Sequence, residues 1–306
     1  MSQLHYRIKT RYTFGNVPEY CFLHASNAAN KIYDICNTFR DSLNLEKWKL
    51  KVLHVRNVDQ DVYIRLEIME KFESLSTLIE KILEYKYGKV AGIWIRTLHP
   101  LSDELVHGDE HILDYLELPD KRKFYIPTSI DSFTTLNRYT MPETYNYMCR
   151  HSTKNIIIIG RDVIRAGYWL NNAPFLERSC ICLSECKQIL IDAEQTIKLP
   201  ENSDFKNPEF RLFESSMTLS NTYTYTYTYT YTVIYNGRDY AKAADWVSKN
   251  KRLISKLIIL TCKRSKIPTL SEYWTKIDSI IIDQQPGVAE IIQQIDVFIP
   301  SSASEF

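Results

Sequence analysis

An α/β fold is predicted for this chain of 306 residues, and three observations predict it. Runs of strand length recur that are either alternating or wholly apolar, the clearest being KLKVLHVR at Lys49–Arg56 and NIIII at Asn155–Ile159. Between such runs lie stretches with apolar residues at helical spacing, sharpest in Leu75, Leu78, Ile79, Ile82 and Leu83. Composition is that of an ordinary globular protein, 44% hydrophobic and 25% charged. Helix and strand units in this rhythm suit an irregular leucine-rich-repeat-like stack following a β-rich N-terminal region, the arrangement expected first. An open, mostly parallel sheet is the alternative.

Taken in order, residues 4–14 and 19–24 read as short β segments and Asn27–Leu43 as a helix carrying Ala29, Ile32, Ile35 and Phe39. The strand at Lys49–Arg56 follows, then a helix from Leu75 that Gly88 is placed to stop as its C′ residue, then a strand at Val90–Arg96. Asp109 is read as the N-cap of a helix running to Leu118 before Pro119, with a strand at Phe124–Pro127 and a helix before His151. After NIIII come a helix at Arg161–Asn171, a strand at Ser179–Leu183, a helix at Ala241–Asn250, a strand at Leu257–Leu260, a helix at Thr269–Ile277 and a strand at Ser279–Ile282. The expected organisation is a β-rich region with one helix at 1–72, alternating α/β structure at 73–300, a low-complexity insert at 203–237 and a fraying tail at 301–306.

Within that insert, Thr222–Thr232 reads TYTYTYTYTYT and continues into Val233, Ile234 and Tyr235. In an extended chain the period of two puts every tyrosine on one face and every threonine on the other. Eleven such residues span about 36 Å, longer than ordinary strands, so part of the tract is expected to project from the fold.

Charge is near balance, +1 overall, but unevenly spread. Residues 103–120 carry Asp103, Glu104, Asp109, Glu110, Asp114, Glu117 and Asp120 with no Lys or Arg. The segment 238–266 is basic, with Lys249, Lys251, Arg252, Lys263 and Arg264 among its cations and Tyr240 and Trp246 interleaved. Seven cysteines, an odd count in a chain of this size, point to reduced thiols. The absence of an Asn-X-Ser/Thr sequon, of a signal-peptide pattern and of a long apolar run leads to an expected cytoplasmic or nuclear protein.

Motifs that carry chemistry are weak. His107-Gly-Asp-Glu110-His111 matches H-x-x-E-H, but Gly108 interrupts the helix such a zinc site needs. Cys180, Cys182 and Cys186 lack a second pair or a histidine at metal-binding spacing, and the first two would share one face of a strand as small apolar residues. Gly160-Arg161-Asp162 follows the NIIII strand where a nucleotide-binding turn would lie, yet neither GxGxxG nor GxxxxGK[ST] is present.

The segments SLSTLIEKILEYKYGKVAGIWI (Ser74–Ile95), NIIIIGRDVIRAGYWL (Asn155–Leu170) and DYAKAADWVSKNKRLISKLIIL (Asp239–Leu260), together 60 residues, resemble the F-box-associated regions of nematode F-box proteins. The resemblance implies a substrate-recruiting surface. No clear F-box accompanies it, Val17-Pro18-Glu19 and Ile32–Arg40 being at most a vestige, so binding to a ubiquitin-ligase adaptor is not expected.

The expectation that follows is a non-catalytic protein-interaction module without catalytic residues, metal or cofactor, contacting an unknown protein partner and no membrane. Its candidate interaction surface comprises Asp103, Glu104, Asp109, Glu110, Asp114, Lys249, Lys251, Arg252, Lys263 and Arg264. Two alternatives stay open: nucleic-acid binding through the basic segment, and an enzyme whose site is assembled from scattered residues.

Overall fold

In the computed structural model, the structure describes residues 9–15, 25–42, 49–86, 88–130, 132, 141–173, 177–214, 216–217, 231–236, 241–262, 270–283 and 292–301. The chain forms two compact units, one of residues 1–114 and 127–139 and one of 115–126 and 140–306. The segments 19–24 and 302–306, and Thr222–Thr230 of the Thr-Tyr tract, lie outside the described residues.

The first unit is built on a five-stranded sheet, β1 (Lys9–Thr13), β2 (Leu50–Val58), β3 (Asp61–Ile68), β4 (Lys89–Leu98) and β5 (Leu101–Gly108), in chain order. Only β3 and β4 are parallel, and helix α2 (Leu75–Leu83) is their crossover. With α1 (Asn27–Ser42) it covers one face, where Ile32, Phe39, Leu78 and Ile82 pack on Leu53, Ile64 and Ile93. Helix α2 ends well before Gly88, with Glu84 as its C-cap, so that glycine is not the C′ residue expected. Gly88 instead lies against the turn between β2 and β3, where an added Cβ would meet the Gln60 carbonyl at 3.0 Å.

No helix follows Asp109. Gly108 turns with φ +80°, Asp109 N–H bonds the Ala91 carbonyl, and residues Ile112–Glu117 form strand β6, paired in a two-stranded sheet with β7 (Lys123–Thr128). Ile112 and Leu116 satisfy both helical and alternating patterns; burial of Ile112, Asp114 and Leu116 against exposure of Leu113 and Glu117 decides for the strand.

The second unit contains α3 (Met141–His151), β8 (Asn155–Gly160), α4 (Val163–Asn172), β9 (Ser179–Ser184), α5 (Lys187–Lys198), β10 (Glu209–Leu212), β11 (Tyr231–Asn236), α6 (Ala241–Asn250), β12 (Ile254–Cys262), β13 (Trp274–Asp283) and β14 (Ile292–Pro300). Its seven strands lie in the order β10-β9-β8-β11-β12-β14-β13; the first five are parallel and β14 runs against both neighbours. The span 203–237, expected as an insert, supplies two of these strands, β10 and β11. The expected helix at Thr269–Ile277 is instead the start of edge strand β13, where Ile277 sits at a register shift against β14.

A repeat-like stack would keep strands in chain order, whereas here β8 is central and the order reverses beside it, so the open, mostly parallel sheet replaces the stack. The isoleucine run explains why β8 is central. Ile156 and Ile158 join the core formed with Met148, Trp169 and Ile189 of α3, α4 and α5, while Ile157 and Ile159 join Trp246 and Val247 of α6. Both faces are covered, as a strand without polar alternation requires.

Candidate functional site

In an open parallel sheet, ligands bind outside the carboxyl ends of the strands where strand order reverses. That point here lies between β8 and β11. Strand β8 ends at Gly160 with φ +146°, a backbone region essentially closed to residues with a Cβ. Arg161, exposed, and Asp162, 3% exposed, carry the turn into α4. The Tyr145 hydroxyl donates to the Asp162 carboxylate, and Arg165 Nη1 lies 3.6 Å from its other oxygen, itself buried. The buried charge is thereby compensated within the turn. The Asp162 carbonyl accepts the Ala166 N–H at 3.1 Å, opening α4 directly above the sheet edge.

On β9, buried Ser184 fixes the next turn. Its Oγ accepts the Cys186 N–H at 3.2 Å and its carbonyl accepts the Phe213 N–H at 2.9 Å. Glu185 and Cys186 are consequently exposed at this edge. On the other side of the reversal, Asn236 ends β11 in register with Gly160 and Leu260, and β12 continues two residues further, to Cys262, paired with Gln293 of β14. The edge thus brings together Gly160, Arg161, Glu185, Asn236 and Cys262 from four strands. Sequence reasoning weighed only the Gly160 turn; an acid placed just after the second strand of a parallel sheet was the signal that could have found Glu185.

The donor set fits a nucleoside-bearing cofactor at two points. An exposed carboxylate at the end of the second strand is the group that takes ribose hydroxyls in parallel α/β sheets, and the glycine-only turn permits close backbone approach at the first. The chain departs from a glycine-rich fingerprint in having Arg161 and Asp162 follow that single glycine.

No protein-family model and no curated protein sequence matches the chain. Among solved structures, it is similar to the tRNA (uracil-54, C5)-methyltransferase of Pyrococcus abyssi in complex with S-adenosyl-L-homocysteine, at 12% identity and a TM-score of 0.71, over 97% of this chain and 76% of that one. The two share a fold. A putative SAM-dependent methyltransferase from Streptococcus mutans aligns over 88% of this chain and 80% of its own, at 9% identity and a TM-score of 0.48.

The first of these matches corrects three expectations. The structure whose fold the chain shares is that of a methyltransferase, not an F-box-associated region, so that resemblance is withdrawn. The expectations of a non-catalytic protein-interaction module and of a non-enzyme are likewise overturned, because the fold is one solved as a methyltransferase with its cofactor product bound.

The expected surface residues separate. Asp103 and Glu104 lie exposed on β5, paired with Arg96 and Lys71 respectively, and Asp109 and Glu110 are exposed beyond it. Asp114 is no surface residue: 1% exposed, it accepts from Arg56 Nη2 at 3.0 Å while Arg56 Nη1 donates to the Ser129 carbonyl at 3.2 Å. Lys249, Lys251 and Arg252 lie where α6 ends, at the amino edge of the parallel strands; Lys263 and Arg264 lie outside the described residues. His107 lies on β5 and His111 before β6, with no helix to align them, and among the described residues no group of three His, Cys, Asp or Glu is placed to hold a metal ion. Among the described residues no helix is long and apolar enough to cross a membrane.

Proposed function

We propose that this chain is an S-adenosylmethionine-dependent methyltransferase whose acceptor is a nucleic acid. The observation that carries the reading is the reversal of strand order beside β8, with Gly160 and Glu185 at the carboxyl edge, in a fold similar to that of an enzyme holding S-adenosyl-L-homocysteine. When bound, the cofactor supplies a methyl group on a sulfonium sulfur. Glu185 would accept the ribose hydroxyls, and Gly160 would let the nucleoside approach the backbone. Tyr145 and Arg165, by holding Asp162, keep the turn and the start of α4 in place.

The acceptor half of the crevice lies beyond the reversal, at the ends of β11 and β12. Cys262 is the last residue of β12 there. A pyrimidine carbon is a poor nucleophile until a group adds to the neighbouring ring carbon and makes it electron-rich. A cysteine thiolate is suited to that addition, which makes Cys262 our candidate for it; once the carbon has taken the methyl group, it gives up its hydrogen as a proton to a base and the C–S bond breaks, restoring the ring double bond and the free thiolate. The sequence continues with Lys263, Arg264 and Lys266, cations of the kind that neutralise phosphates.

The test is calorimetric titration of the intact chain with S-adenosyl-L-homocysteine, followed by transfer of tritiated methyl from S-adenosylmethionine to RNA. Glu185→Ala is expected to weaken cofactor binding by about tenfold, the loss of a charged hydrogen bond, and Cys262→Ala to abolish transfer while leaving binding intact. A folded protein with no cofactor binding at millimolar concentration would refute the reading. Cofactor binding with methyl appearing only on protein would refute its nucleic-acid half.

A further inference from the structure

At the opposite, amino edge of the same sheet two cations stand together without an acid. Arg178 immediately precedes β9 and is 4% exposed. One arm of its guanidinium, Nη2, donates to the Cys149 carbonyl at 2.9 Å, while Nε and Nη1 are buried without an acceptor. Among the described residues no carboxylate pairs with it; neighbouring Glu177 is exposed and makes no ion pair with it.

Lys206 is held beside this group by construction. Asn171 Nδ2 and Asn172 Nδ2 donate to its carbonyl at 3.0 and 2.9 Å, its N–H donates to Asn172 Oδ1 at 2.8 Å, and its ammonium donates to the Arg178 carbonyl at 2.6 Å. Three side-chain hydrogen bonds therefore fix the backbone of Lys206, and its ammonium is held on the main-chain carbonyl of Arg178, the residue that carries the buried guanidinium.

The thiols nearby cannot neutralise the pair. Burial pushes Cys149 up to about 11 and Cys180 up to about 12, against which the Arg178 charge pulls only weakly, so both stay protonated at neutral pH. A buried guanidinium with unmet donors and no counter-charge is costly, and it is retained where an anion completes it. Lys154, exposed, accepts the Ser179 N–H through its own carbonyl, which brings a third cation to the same edge.

We infer that Arg178 and Lys206 form a phosphate-binding site at the amino edge of the sheet, remote from the carboxyl-edge crevice. Planar guanidinium donors match phosphate oxygens, and the lysine adds a point charge. The phosphate is either free or part of a nucleic-acid backbone, and the inference does not rest on the methyltransferase reading.

The intact chain is titrated with inorganic phosphate against chloride at constant ionic strength, and separately with a short single-stranded RNA, for the wild type, Arg178→Met and Lys206→Met. The wild type is expected to bind phosphate and each variant to lose at least tenfold. Equal losses for RNA identify a backbone phosphate, and unchanged RNA binding identifies free phosphate. Lys206→Met alters an exposed side chain, so its result stands even if Arg178→Met fails to fold. Wild-type protein indifferent to phosphate and to RNA, or variants that bind both as tightly as wild type, would overturn the inference.

Discussion

Replacing Gly167 with alanine tests how closely α4 is seated on the sheet. Alanine in a helix interior is worth about 1 kcal/mol over glycine, so the substitution should stabilise wherever there is room. There is none here. A Cβ at Gly167 would lie 2.4 Å from Cys182 Sγ and 3.1 Å from Pro208 Cγ, whereas unstrained heavy-atom contacts fall near 3.5–4.0 Å. Cys182 cannot swing away freely, being 0% exposed with its thiol 3.3 Å from the Val163 carbonyl. Overpacking of this kind costs about 1–3 kcal/mol. The net expectation is a loss of up to about 2 kcal/mol for Gly167→Ala, read by urea unfolding. In a Cys182→Ala background the nearest contact is gone, and the same substitution should become neutral or stabilising by up to about 1 kcal/mol. The double-mutant cycle cancels the cost of Cys182→Ala itself. A coupling below about 0.5 kcal/mol, within the scatter of additive sites, would refute the claim that sulfur contact is why residue 167 is glycine.

Asp114→Ala strands Arg56 in the interior of the first unit and is expected to cost about 3–5 kcal/mol, while Arg56→Met with Asp114→Leu should recover most of it; denaturant midpoints compare the two. Asn202 donates to the Tyr125 and Thr196 carbonyls and accepts the Tyr125 N–H, so Asn202→Ala should cost about 2–3 kcal/mol and speed tryptic cleavage at Lys121, Arg122 and Lys123, followed by mass spectrometry. Burial raises Cys36 to about 12, Cys149 to about 11, Cys180 to about 12 and Cys182 well above 9. Iodoacetamide at pH 8 should therefore label exposed Cys186 and spare these four in the native chain, as peptide mapping would show. Because the same thiols ionise near 9 once unfolded, the unfolded state releases protons first. Their contribution to stability is complete below pH 9 and falls as pH rises from 9 through 11–12; a denaturation midpoint flat from pH 8 to 11 would contradict it.

Elements with one dominant pattern were legible from sequence: NIIII as a doubly covered strand, the α2 stripe, the helix ending at His151. Failures came where two patterns coincide or where burial is polar. Leu270, Tyr273, Trp274 and Ile277 have helical spacing, yet Trp274–Asp283 is a strand because β14 supplies a partner that local sequence does not announce. Helix α5 was missed because its inward positions include Asp192, 2% exposed, and Thr196, 0% exposed, while Ile191 and Ile197 are 47% and 41% exposed. Asp192 Oδ1 accepts from Gln188 Nε2 and the Asp192 carbonyl from Thr196 Oγ1, so the polar groups are satisfied within the helix. The carboxyl-edge site was hidden for a related reason: its residues come from four strands whose adjacency is set by crossovers, and no contiguous motif records that.

The Thr-Tyr tract shows how a repeat can adjoin a central strand without disturbing it. A strict two-residue alternation keeps each face unchanged when it slips by two, so the tract cannot fix its own register. Strand β11 takes only its last two residues, Tyr231 and Thr232, and then Val233, Ile234 and Tyr235, whose side chains meet cores on opposite faces. A slip by two would carry Thr232 into the place of Ile234, buried among apolar neighbours, and cost an unmet hydroxyl as well as the lost burial. In the observed register Thr232, 0% exposed, meets Thr153 instead: its Oγ1 accepts the Thr153 N–H at 2.9 Å and lies 3.0 Å from the Thr153 hydroxyl. The last threonine of the tract and the apolar residues after it therefore pin β11 between β8 and β12, and the number of repeats preceding them does not enter the register at all.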